Sequence, residues 1–363
     1  MCNTSNHILK EPWYYFFQLV FMVSAISIYP VCAQPGGKAF QFLEVPNSAR
    51  VAALGGDAVA VYDSDPDLSY HNPSLLNRSM HHHLALNYVN YFAGINYGYV
   101  AAAVRFGKKS TLAGGIHYLN YGKFEGADET GTLTGTFRAA DYSVHAIYSL
   151  PVDSLLTLGF TVKSVFSDYE LYNSTALAFD AGITYHNPGM NFTAGLVLRN
   201  IGFQVHTYYP GQARESLPFN IAIGITQRLK YAPLTFYIIA DHLENWNLTY
   251  EVEDESDNNN EQIIDGSTSE SGFDRFIDQF MRHIIIGTEF GIGKNLVLRG
   301  SYNYRRRQEL KIDTRPGMVG FSFGAGIRIN KFTISYARSV YHLAGGSNYF
   351  SLDVNLDEFN KKL

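Results

Sequence analysis

Cysteine is almost missing from this 363-residue chain, occurring only as Cys2 and Cys32. Both precede Gln34, the residue after a small-residue site at Val31-Cys32-Ala33. A chain cleaved there keeps no thiol, which excludes disulfides, cysteine-ligated zinc and thiol catalysis. Charge is scarce as well: Asp, Glu, Lys and Arg make up 17% of the residues. The net charge of -5 gives no footing for nucleic acid. Beyond residue 33 no stretch of about 18 uncharged apolar residues occurs, so no later helix is expected to cross a bilayer. Gly-x-Ser-x-Gly, His-Glu-x-x-His and phosphate-loop spacings are absent too.

Aromatic residues are plentiful, with 26 Tyr and 25 Phe, and so is glycine, with 32. Tyr and Phe favour strands, and Tyr also favours membrane interfaces. Near the C-terminus Val319, Phe321, Phe323, Ala325, Ile327 and Ile329 alternate with Gly320, Ser322, Gly324, Gly326 and Arg328. Successive strand side chains point to opposite faces, so the pattern makes one apolar face and one small or polar face. About fourteen such segments follow residue 83, most of about ten residues, the length a tilted strand needs to cross a membrane.

Connections at 107–110, 151–154, 187–190, 293–295 and 330–331 are short, whereas those at 122–138, 201–217, 246–280 and 306–317 are long. Short turns at one end and long loops at the other are the arrangement of outer-membrane barrels. A soluble sandwich alternates equally well but has no reason to sort its loops in this way. The expected fold is therefore an all-β transmembrane antiparallel β-barrel of about 14 strands. Residues 1–33 read as a signal peptide, with Lys10 before an apolar run at 13–28. Residues 34–80 form an N-terminal segment that either plugs the lumen or packs at the periplasmic rim. Residues 81–363 are the barrel, in the cell outer membrane.

Within the N-terminal segment a helix is expected over 48–54, stopped by Gly55-Gly56, then a brief strand over 57–62 and turns near 63–67 and 70–73. The stretch 247–274 is acidic and lacks Lys and Arg. It reads as a solvated loop or a calcium- or partner-binding surface, without the spacing of a calcium loop.

Pro46-Asn47-Ser48-Ala49-Arg50, Gly55-Gly56 and Asn72-Pro73 resemble the PorV/PorQ family of type IX secretion proteins of Bacteroidetes, and residues 80–102 are most like its PorQ branch. The resemblance implies a FadL-like barrel and a non-enzymatic role in the surface attachment complex with PorU, PorV and PorZ. There the chain would anchor a PorZ-like partner near the sortase, PorU, among lipid and lipopolysaccharide. The chain departs from many such barrels in ending Phe359-Asn360-Lys361-Lys362-Leu363 rather than in an aromatic residue.

Tyr208 and Tyr209 are candidate aromatic contacts for a partner, or part of an interfacial girdle. Arg305, Arg306 and Arg307, expected at a strand end, suit lipopolysaccharide phosphates or plain solvent. His81-His82-His83 is read as an interfacial polar cluster, since histidines in succession on a strand alternate faces and cannot all converge on a metal. No catalytic, cofactor or metal residue is expected. Two other readings stay open: a FadL-type transporter of hydrophobic ligands, which needs an apolar passage, and an outer-membrane hydrolase.

Overall fold

The computed structural model describes residues 38–92, 94–249, 272–310, 317–342 and 345–360. The signal peptide expected over 1–33, the heart of the acidic stretch (250–271) and the last three residues lie outside the described residues.

The strands are β1 His83–Asn90, β2 Asn96–Phe106, β3 Ser110–Ala127, β4 Leu133–Pro151, β5 Leu156–Tyr169, β6 Tyr172–Asn187 and β7 Phe192–His206. They continue as β8 Asn220–Arg228, β9 Leu234–Ala240, β10 Ile284–Ile292, β11 Leu296–Asn303, β12 Phe321–Ile329, β13 Phe332–His342 and β14 Gly345–Asn355. Each pairs antiparallel with its sequence neighbours, and β14 pairs with β1 to close the barrel. The fourteen-stranded barrel expected from the alternation is borne out.

Outward positions such as Leu86, Val100, Ile116, Val144, Phe160, Ile223, Phe323, Ile334 and Phe350 are exposed, while their neighbours Ala85, Tyr99, Ser143, Thr161, Ala222 and Ser335 are buried. A continuous exposed apolar band fits lipid and not water. The soluble reading fails on this face. Val319 departs from the pattern and is buried, because Gly320 turns the chain at φ +88° and resets the phase before β12.

Several connections are shorter than expected. β3 and β4 remain paired through Phe124 and Phe137, which shrinks the connection over 122–138 to residues 128–132. Likewise β7 takes residues 201–206 from the next one. Above the lipid both faces of these strands meet water, so the period-two signal vanishes although the ladder continues. Two other long connections contain helices, α3 (Gly272–Arg282) and α4 (Tyr304–Leu310).

Residues 39–80 lie inside the barrel. The segment enters at the long-connection end, where Ala39 N donates to Ser216 O (3.0 Å), and leaves at the short-turn end, where Arg78 Nη1 donates to Lys108 O (2.7 Å). It carries α1 (Ala49–Ala53) and α2 (Leu68–His71), and α1 is capped by Ser48 Oγ, which accepts from Val51 N. The brief strand expected over 57–62 does not form, since this stretch joins no sheet ladder and its Val59 carbonyl accepts from Asn72 Nδ2 (2.7 Å). Val51, Leu54, Leu68, Leu75, Leu76 and Met80 are fully buried and form the lumen's apolar core.

The wall makes room for the Asn72-Pro73 turn at two inward glycines. A Cβ on Gly159 would lie 2.1 Å from Pro73 C, and one on Gly182 would lie 2.1 Å from Asn72 Oδ1. Gly159→Leu is therefore expected to cost about 1–3 kcal/mol by overpacking, measured as a lowered midpoint of heat-modifiable gel mobility. Phe160→Leu, one residue along on the lipid face, is expected to stay within about 0.5 kcal/mol of the parent.

Candidate functional site

The residues that carried the family resemblance prove to be the joints of the lumen segment. Pro46 O accepts from Tyr97 Oη (3.1 Å), and Ala49 N donates to Ser351 Oγ (2.8 Å). Asn47 Nδ2 donates to Asp67 O (2.9 Å), while Asn47 Oδ1 meets His71 Nε2 (3.2 Å). Arg50 reaches Asp63, Asp65 (3.4 Å) and Glu289 (2.9 Å), and Glu289 also receives Arg299 (2.6 Å) and Tyr237. Gly55 has φ +99° and Gly56 φ +104°, values that favour glycine, and Gly55 O accepts from Asn303 (3.2 Å) and Arg306 (3.3 Å).

A second tie centres on Asp57, whose carboxylate takes a bidentate pair from Arg199 (2.9 and 2.5 Å) and a contact from His71 Nδ1 (3.0 Å). Burial pushes the Asp57 carboxyl up, but Arg199 and His71 outweigh it and hold it well below the usual carboxylate range. At Asp65 burial wins and lifts the carboxyl to about 6, with Arg50 opposing and Asp63 adding to the rise.

Two cavities open at the long-connection end. The larger, about 360 Å³, is lined by Tyr121, Tyr169, Tyr172, Tyr208 and Tyr209, with Lys38, Phe40, Gln41, Asp141 and Glu215. Tyr208 stacks on Tyr169 (centroids 5.5 Å, 10°) and Tyr209 packs on Tyr172 (4.5 Å). The two tyrosines singled out in the sequence thus sit in one pocket. The smaller cavity, about 220 Å³, is walled by charged groups including Glu44, Asp57, Arg199, Asp241, His242, Arg305 and Arg306. At the short-turn end a polar cavity of about 480 Å³ lies between Arg50, Glu289, Arg299 and Arg328.

The arginine triplet lies on α4, not on a strand end as expected. Arg305 faces Asp241 (3.7 Å), Arg306 stacks over Tyr341 (4.3 Å) and Arg307 donates to Gly317 O (2.8 Å). The chain's own acceptors and rings take up these side chains. His83 turns inward to Asp353 (3.0 Å), whereas His81 and His82 precede the strand and gather with Asp357, His82 Nδ1 lying 2.5 Å from its carboxylate. His81 Nδ1 already accepts from Arg105 N (3.1 Å).

Helix α3 was not anticipated. Phe273, Phe276, Ile277 and Phe280 lie at i, i+3, i+4 and i+7 on one exposed face, beside exposed Trp246, whose ring meets Phe276 at 5.4 Å. That spacing is readable in the sequence, but the acidic residues before it dominated the composition of the stretch.

No protein-family model and no curated protein matches the chain. Among solved structures it is similar to the Pseudomonas putida toluene transporter TodX, at 11% identity over 85% of this chain and 96% of that one, with TM-score 0.50. It is also similar to the monoaromatic hydrocarbon channel CymD (12%, 87% and 97%, TM-score 0.47). A third is a Pseudomonas aeruginosa FadL homologue (12%, 85% and 98%, TM-score 0.44). The likeness is one of fold: the barrel is FadL-like.

Breaking the Asp57–Arg199 pair leaves a buried guanidinium short of its partner, so Asp57→Asn is expected to cost about 3–5 kcal/mol at neutral pH. Because the folded carboxyl titrates below the unfolded one, the parent's advantage is complete above about pH 4 and is lost as pH falls through the folded value. Urea unfolding of both proteins as a function of pH measures this, with the two curves converging in acid.

Proposed function

We propose that the chain is a non-enzymatic outer-membrane barrel that holds a protein partner at the cell surface. Its setting is the type IX attachment complex implied by the resemblance to the PorV/PorQ family, with a PorZ-like partner near the sortase. The observation that carries this reading is the uncovered apolar face of α3, on the longest connection, beside Trp246. An exposed apolar patch of this kind is what a protein contact needs. The lumen supports it, being filled by residues 39–80 and crossed by ion pairs. By the usual sorting of turns and loops, the long-connection end faces outward.

The second reading is carriage of a small hydrophobic ligand, the activity named for TodX. In its favour stands the FadL-like fold. Against it, each of the three cavities described above carries charged side chains in its wall, which a dry apolar passage would lack.

A mild-detergent pull-down of tagged protein from outer membranes tests the proposal. Co-purification of a large surface protein with a sortase-like peptidase is the expected result. Phe273→Asp/Phe276→Asp is expected to weaken capture by more than about tenfold, since an interface aromatic anchor is worth about 2 kcal/mol. A barrel that comes down alone, or capture unchanged in the double variant, sinks the α3 contact. Cargo processing that survives deletion of the gene sinks the role.

A further inference from the structure

We propose that the tyrosine-lined cavity is a saccharide site that takes a neutral pyranose ring. The proposal goes beyond the partner-holding reading and does not depend on it; only the site's facing outward does.

The rings are fixed in place before any ligand arrives. Asp141 is buried at the base and accepts from three hydroxyls: Ser167 Oγ, Tyr121 Oη (2.6 Å) and Tyr169 Oη (2.9 Å). With both phenols tied to one carboxylate, the Tyr121 and Tyr169 rings cannot swing away. Tyr208 lies nearly parallel to Tyr169, and the Phe40 ring lies 6.5 Å from Tyr208. Tyr172 and Tyr209 form a separate exposed pair. The cavity is thus flanked by two aromatic groups. Preorganised rings bind at low entropic cost.

The rim selects among ligand classes. It carries Lys38, Gln41 and Glu215, one cation, one amide and one carboxylate, so it offers donors and acceptors with no bias of charge. A pyranose presents a C–H face to an aromatic ring and hydroxyls around its edge, which matches ring faces within a polar rim. A hydrocarbon would leave the rim groups and phenol oxygens without partners. An organic ammonium would meet Lys38 and would find Asp141 already occupied by three hydroxyl donors. A volume of about 360 Å³ sits at the small end of ligand pockets, which suits one or two sugar rings.

Full-length protein in a polyoxyethylene detergent, which has no sugar headgroup to compete, is mixed with methyl glucoside, methyl mannoside or N-acetylglucosamine. Choline and toluene serve as the cationic and apolar probes, and saturation-transfer NMR is the readout. Transfer to the ring C–H protons of at least one pyranose is expected. Tyr208→Ala should weaken it about tenfold, and Tyr208→Phe, which keeps the ring, should leave it within about twofold. Heat-modifiable mobility reports folding. If Tyr208→Ala does not fold, Tyr209→Ala decides, since that ring is half exposed. The proposal is overturned by absence of transfer to every sugar, by transfer that ignores both alanine variants, or by choline or toluene taking the site in preference.

Discussion

Inside a bilayer a strand has no water to satisfy its backbone, so every N–H and C=O must find a neighbouring strand and the sheet must close. That constraint sets the chain's alternation. Apolar side chains such as Ile223 and Phe323 go to lipid, and the polar or small ones between them go to the lumen. A lumen lined by Asp57's partner Arg199, by Glu289 and by Lys163 is a costly place unless those charges are paired. Lys163 is met by Asp180 at 2.8 Å within the wall. Arg199 and Glu289 are met by the N-terminal segment.

The segment and the wall therefore complete each other. Residues 39–80 bury Val51, Leu54, Leu68 and Met80 inside the lumen, and they supply the counter-charges Asp57 and Arg50. Gly159 and Gly182 mark where the wall thins to admit the Asn72-Pro73 turn. Asn47, Arg50, Gly55 and Asn72 act at these joints, so they speak for how the barrel is filled and say little about what it binds.

The apolar face of α3 and the tyrosine pocket both lie at the opposite end from the entry to β1. There the strands rise past the lipid, α3 lays out its apolar face, and the first described residues of the segment join three hairpins around the tyrosine pocket. The segment supplies part of the pocket's lining through Lys38, Phe40 and Gln41, and Ala39 is tied to Ser216. The segment's first described residues thus help to shape the outer surface.

The sequence by itself determined a barrel of about fourteen antiparallel strands and the outward face of those that alternate cleanly, because lipid imposes a period of two and each connection joins neighbours. It also marked the helix at 48–54 through its glycine stop. It did not disclose the upper halves of β3 and β4, where water on both faces erases the period, nor α3, whose apolar spacing follows an acidic stretch. Only the tertiary structure decided that Arg50 meets Glu289, that Arg306 turns onto Gly55 and Tyr341, and that Tyr208 joins Tyr121 and Tyr169 around one carboxylate. Those pairs lie tens to hundreds of residues apart, and local pattern carries no information about which side chains a closed barrel and its filling bring face to face.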